Sequence, residues 1–427
     1  MKRTVAILRN VFLMSLFMPS LLVAQKIETG GSNKQVNYER LARIDSLVNS
    51  YIAQKWINGA TTIIVKDNQL VQYKGYGYAD VDSKKQMQKD ELVRIASQTK
   101  AITCTGIMIL YEQGKILLGE PVSDFIPEFK NMTVLDKFNA ADTTFTTVPA
   151  KRPVTIRDLL THTSGLDYPG IGSDNMKAIY AKAGIAAGFN IAKDGQTLLS
   201  AMKKLSTLPL IHQPGEKWTY GLNYDLLGCI IEIVSHENLA DFFRKNIFEP
   251  LGMNDTYFNV PESKAARLAT VYREDSLHHV IKWEKGYFGA DPDYPLAHKQ
   301  YFSGGADLTS TAFDYAVFLQ MLLNGGTYNG HQILSPATVR MMTSNQLDFS
   351  YNGTNGFGLG FDIVSEKGAA RGPKNKGSFS WGGFFGSSYW ADPKEHLIGI
   401  IFTQQSPDSH ADVMERFQNM VYAALKE

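Results

Sequence analysis

Arg94–Ile116 reads RIASQTKAITCTGIMILYEQGKI, and the rest of the chain takes its meaning from this stretch. A strand-like lead-in brings Ser97 to the mouth of a long apolar helix, and Gly114-Lys115 ends that helix in a common way. Lys100 follows Ser97 by three residues, so on a helix the two side chains share one face, one turn apart. A helix N-terminus offers backbone N–H groups without helical acceptors, and the positive end of the macrodipole. A serine there, with a buried amine beside it, has a nearby base and donors for a developing oxyanion, as a serine nucleophile requires. Taken alone, the same residues also describe a serine N-cap followed by a surface lysine.

The 427 residues are 44% hydrophobic and 20% charged, an ordinary globular balance. A net charge of +1 with no charge block points away from nucleic acid as a partner. Cys104 and Cys229 both fall in apolar helical patterns and read as small buried residues. No Cys/His cluster has zinc spacing, and no metal or organic cofactor is implied. Lys2 and Arg3 precede an apolar run from about Val11 to Val23 that ends at Ala24-Gln25. This has the form of a signal peptide over residues 1–25, with an uncleaved anchor as the alternative; the run is short for a transmembrane helix. The expected location is periplasmic or secreted, with no membrane association beyond the signal peptide.

Apolar spacing predicts a helix over Tyr38–Trp56, then a hairpin of Ala60–Lys66 and Gln69–Tyr78 around Asp67-Asn68. Asn131–Arg152 reads as a loop. Thr155 and Asp158 form a capping-box pair ahead of Leu159. Residues 167–205 are the expected lid over a site. Helices are expected at about Gly228–His236, Leu239–Phe248, Thr311–Asn324 and Ser335–Thr343. Strand patterns return at Gly358–Val364, Ser378–Trp381, Ser387–Ala391 and Leu397–Thr403, and a helix over about His410–Leu425 closes the chain. Strands at both ends with helices between imply an α/β chain of the α+β type. One antiparallel sheet, from about 38–95 and 355–427, is flanked by helices and carries a mostly helical region over about 96–354, all in one catalytic domain over 26–427.

A serine and a lysine need a second acid/base and an oxyanion hole. Tyr220 lies in a loop that feeds a helix, and a phenol near an ammonium can ionise below its usual pKa of about 10. Ser380-Trp381-Gly382-Gly383-Phe384-Phe385-Gly386 is a strand rich in glycine, where a substrate can lie against backbone.

In order, the blocks are Ser97-x-x-Lys100, LLTHTSGL at 159–166, Pro214-Gly215 leading to Tyr220, LLG at 226–228, PLGM at 250–253, Gly304-Gly305, and WGG at 381–383 before Asp392-Pro393. Together they resemble the serine β-lactamase-related family of class C β-lactamases, D-alanyl-D-alanine peptidases and family VIII carboxylesterases. The resemblance runs from about Arg40 to the end. It implies a β-lactamase/transpeptidase-like fold, Ser97 as the acylated nucleophile, Lys100 as its base partner and Tyr220 as the proton shuttle. It places the oxyanion hole at the backbone N–H groups of Ser97 and Phe384. His162 is expected to be structural, and Asp307 stands where many relatives carry glycine.

Two departures from the family pattern choose between branches. Penicillin-recognising members carry Tyr-x-Asn, where this chain has Leu222; they carry Lys-Thr-Gly, where it has Trp381-Gly382-Gly383. Leu222, Trp381, Gly382 and Gly383 are therefore the expected substrate-binding residues. Without the lysine and the amide, a β-lactam loses its expected partners. The resemblance thus implies a carboxylesterase whose partner is a small-molecule ester or acyl donor. An acyltransferase using the same acyl-enzyme is the alternative. A β-lactamase, a D-amino-acid peptidase and an inactive binding relative remain further readings.

Overall fold

Gly59–Lys66 (GATTIIVK) and Leu397–Phe402 (LIGIIF) are aliphatic runs buried at every position, as strands covered on both faces require. They pair antiparallel at the centre of an eight-stranded sheet. The strand order is Gly356–Phe357, Asp362–Ile363, Phe379–Gly383, Ser387–Asp392, Leu397–Phe402, Gly59–Lys66, Gln69–Asp80 and Lys85–Gln86. The sheet is thus built from both ends of the chain, as expected. The computed structural model describes residues 26–186 and 196–426; the expected signal peptide and residues 187–195 of the expected lid lie outside them.

Alternation along the central strands sends side chains to two cores. Ala60, Ile64 and Ile401 meet the helices Arg43–Ala53 and Asp412–Ala423 on one face. Ile63, Val65 and Ile400 join the larger core on the other, with the helices Thr99–Glu112 and Ala312–Leu323. Asp67 and Asn68 take positive φ, 52° and 61°, between the first two long strands, as a tight hairpin turn demands. Cys104 and Cys229 are buried free thiols. No helix among the described residues is long and apolar enough to cross a membrane.

Three local expectations are corrected. Asn131–Arg152 contains a hairpin, Thr133–Asn139 with Thr144–Pro149. Its second strand is exposed throughout and so carries no alternating pattern. Leu210, distant in sequence, anchors the first strand by bonding Thr133 and Leu135 through the backbone. Gly358–Val364 is two short paired strands, Gly356–Phe357 and Asp362–Ile363, turned at Gly360 with φ +91°. Ser97 does not start the long helix; it lies in a 3₁₀ turn, Ala96–Gln98, and the α-helix begins at Thr99.

Candidate active site

The turn that carries Ser97 is fixed from several sides. Arg94 N–H donates to Gln404 Oε1 at 2.9 Å, and Gln404 Nε2 donates back to Arg94 O at 3.0 Å, so one side chain imitates a strand partner. Ile95 N–H donates to Leu308 O at 3.1 Å. Ala96 is held at φ +44°, a left-handed conformation that a residue with a β-carbon adopts only under constraint. Tyr315 donates to Gln98 O at 2.9 Å from the other side. Lys100 lies in the first turn of the α-helix that follows, three residues on, and still reaches Ser97, its Nζ 3.2 Å from Ser97 Oγ.

Lys100 is buried on a helix whose residues from Thr99 to Leu110 are all buried, the pattern of a central core helix. Its Nζ donates to Gly305 O at 2.6 Å and lies 3.2 Å from Ser97 Oγ. It also sits 4.6 Å from the Tyr220 ring centre. Gly304 and Gly305 permit this approach. A β-carbon on Gly304 would meet Tyr224 O at 2.3 Å, and one on Gly305 would meet Asp225 Oδ2 at 2.7 Å. Burial lifts the Asp225 carboxyl above its usual range, against the pull of a Ser303 hydrogen bond and the Lys100 charge.

Tyr220 completes the cluster, with its hydroxyl 2.5 Å from Ser97 Oγ. Its loop abuts the 159–167 segment: Thr219 N–H donates to His162 O at 2.8 Å, and Leu222 N–H to Asp167 O at 3.2 Å. Only glycine fits at 221, where a β-carbon would stand 2.1 Å from Leu166 O. Tyr168 stacks on the Tyr220 ring at 5.4 Å and 8°. His162 is buried 4.9 Å from that ring and accepts a hydrogen bond from Asn223 on Nδ1 at 2.8 Å. Burial, then the Lys100 charge, push its pKa well below the imidazole range, so it is a neutral packed ring.

Ser97 opens onto a cavity of about 550 Å³. Trp381, Gly382, Gly383 and Phe384 form one wall, and Tyr168, Ile171 and Phe288 stand elsewhere around it. Trp381 lies 5.9 Å from the Tyr220 ring. Gly383 closes the strand pairing with Ser387, and Phe384 begins the turn beyond it. Leu222 is the exception among the expected site residues. It is fully buried in the main core and is absent from the cavity wall. Its side chain turns inward at the start of the Asn223–Ser235 helix.

The β-lactamase family profile matches residues 44–423, almost the whole described chain. The chain belongs to the β-lactamase family. Protein Rv1367c of Mycobacterium tuberculosis is 35% identical to this family member over 372 residues, covering 83% of this chain and 88% of that one. Esterase EstB of Burkholderia gladioli is 28% identical over 376 residues, covering 85% and 90%. Among solved structures, EstCE1, described as a hydrolase with promiscuous acyltransferase activity, superposes with a TM-score of 0.77 at 26% identity, covering 90% of this chain and 99% of that one. This β-lactamase-family member is an enzyme of the serine hydrolase and acyltransferase kind.

Sequence reasoning missed two residues of the cluster. Tyr168 lines the cavity and lies 5.6 Å from Lys100 Nζ. Its only sequence signal was a bulky aromatic just after LLTHTSGL. The signal for Asp225 that went unread was a carboxylate inside the apolar run Tyr224–Ile231, a place where a charge needs a buried partner.

Proposed function

We propose that this β-lactamase-family enzyme hydrolyses carboxylic esters through an acyl-enzyme on Ser97. The observation that carries this reading is the wall formed by Trp381-Gly382-Gly383 beside the Ser97–Lys100–Tyr220 cluster. An indole and two glycines offer a flat apolar face and backbone, and no side-chain cation or amide for a β-lactam carboxylate. The likeness to EstB and EstCE1 supports the same branch.

In the first step Ser97 Oγ attacks the ester carbonyl carbon, and its proton passes to Lys100 or Tyr220, both within hydrogen-bond reach. The backbone N–H groups of Ser97 and Phe384, which both border the cavity, are assigned to the tetrahedral oxyanion. Tyr220 returns the proton to the departing alcohol. Water then attacks the acyl-enzyme by the reverse sequence and releases the acid. Purified protein should turn over p-nitrophenyl acetate or butyrate far faster than nitrocefin; the opposite ranking overturns the branch assignment.

Cavity size favours a second reading. A volume of about 550 Å³ falls within the range of small-molecule sites and leaves room for an alcohol beside the bound acyl group. A bound alcohol in place of water makes the same acyl-enzyme an acyltransferase, the promiscuous activity stated for EstCE1. Product analysis with and without an added alcohol separates the two: an ester product that grows with alcohol concentration marks transfer.

A further inference from the structure

Lys299 and Asp307 lie eight residues apart, and their side chains are only 3% and 1% exposed. Lys299 Nζ meets Asp307 Oδ1 at 2.6 Å. Asp307 Oδ2 accepts from Ser303 N–H at 3.4 Å, and Lys299 Nζ donates to Tyr294 O at 3.4 Å. The chain between them has no helix or strand. It nevertheless supplies several contacts around the catalytic cluster. Tyr301 donates to Asp225 Oδ1 at 3.1 Å, Gly304 O accepts from Thr103 Oγ1 at 2.6 Å, and Gly305 O accepts from Lys100 Nζ at 2.6 Å.

A carbonyl in a helix or strand is aimed by its ladder, whereas one in an irregular loop must be aimed by other contacts. Burying two charges gives little net stability compared with an apolar pair of the same volume, so stability alone does not account for this pair. Its geometric effect is plain: it ties the two ends of the loop that presents Gly305 O to Lys100. The loop it ties is close-packed, with Gly305 against Asp225 and Gly304 against Tyr224.

We propose that the Lys299–Asp307 pair is a positioning clamp that holds the Gly305 carbonyl on Lys100 and so fixes the Lys100 amine against Ser97. This rests on the reading of Lys100 as a proton acceptor for Ser97. Lys299 faces Asp307 and Arg94; Asp307 faces Lys299 and Asp225; Lys100 is surrounded by Asp225, Tyr168, Tyr220, Tyr224 and His162. Burial raises the Asp307 carboxyl to about 7, against the pull of Lys299, and lowers Lys299, so desolvation works against both charges of the pair.

The test compares Asp307→Asn, Lys299→Met combined with Asp307→Leu, and Lys100→Ala on p-nitrophenyl butyrate, reading kcat and KM separately, with thermal unfolding in parallel. The clamp predicts that the apolar double variant folds yet loses about ten- to hundredfold in kcat with KM nearly unchanged. Asp307→Asn, where it folds, should behave alike. A folded double variant with wild-type kcat and KM overturns the clamp. If Lys100→Ala is inactive in that case, the clamp alone has failed; if Lys100→Ala retains wild-type turnover, the reading of Lys100 fails and the clamp with it.

Discussion

Gly383 packs so tightly on Ile95 that a β-carbon there would stand 2.3 Å from Ile95 O and 2.2 Å from Ser387 Oγ. The strand that borders the cavity thus touches the backbone two residues ahead of Ser97. Gly383→Ala must push that strand away from the nucleophile turn, since a carbonyl cannot rotate aside. We expect kcat/KM for short esters to fall about 100-fold. Unfolding free energy should fall by about 1–3 kcal/mol, read from denaturant titration. Gly382→Ala is the control, because its nearest neighbour would be Ser387 O at 3.2 Å. Equal damage from both substitutions contradicts the proposed contact.

Tyr220→Phe removes a hydroxyl 2.5 Å from Ser97 Oγ and keeps a ring packed among Tyr168, Trp381 and His162. Steady-state kinetics should show kcat down by about 10²- to 10⁴-fold with KM little changed, the usual range for a lost acid/base. Thermal unfolding should stay close to wild type. A kcat within a factor of about three of wild type would remove Tyr220 from the proton path.

Phe288 lines the cavity. Its ring lies 5.6 Å from that of Phe384, and a β-carbon on Gly170 would be 3.3 Å from it. It is 42% exposed, at φ +54° in a turn flanked by Gly286 and Gly289. Phe288→Ala should widen the cavity and raise kcat/KM for naphthyl or long-chain esters relative to acetate, by about 5- to 50-fold for one bulky group. An unchanged ratio across an ester series argues against Phe288 as a size filter.

Much of this arrangement was legible in the sequence, and the reasons differ by residue. The central strands and the Thr99–Glu112 helix were readable because buried aliphatic runs and a buried helix leave strong local patterns. Ser97, Lys100, Tyr220 and the 381–383 triplet were readable from their order along the chain, and the structure brings them together. What escaped depends on partners far away in sequence. Leu210 makes a hairpin of residues that look like a loop, and an inward turn at a helix start removes Leu222 from the cavity. Tyr168 and Asp225 reach the cluster through stacking and buried charge, neither of which has a spacing of its own.

Asp314 provides a pH test outside the site. Burial lifts its carboxyl to about 7, while its Oδ2 accepts from Asp255 N–H at 2.7 Å and Thr256 Oγ1 at 3.0 Å. Its folded pKa therefore lies above the unfolded value of about 3.9. Its contribution is fully favourable below that value and is lost as pH rises through about 7, since the folded state binds the extra proton. Asp314→Asn keeps an acceptor and removes the titration. Between about pH 4 and pH 7 its stability should gain on wild type by up to about 1.4 kcal/mol per pH unit. Parallel stability–pH curves contradict the burial argument.

The most direct test of the account is intact-protein and peptide mass spectrometry after brief exposure to p-nitrophenyl esters of several acyl lengths. The account predicts an added acyl mass that follows the donor, on the peptide carrying Ser97. Ser97→Ala should show neither the adduct nor ester turnover. Undiminished turnover in Ser97→Ala, or an acyl group on another residue, would contradict the assignment of Ser97 as the nucleophile.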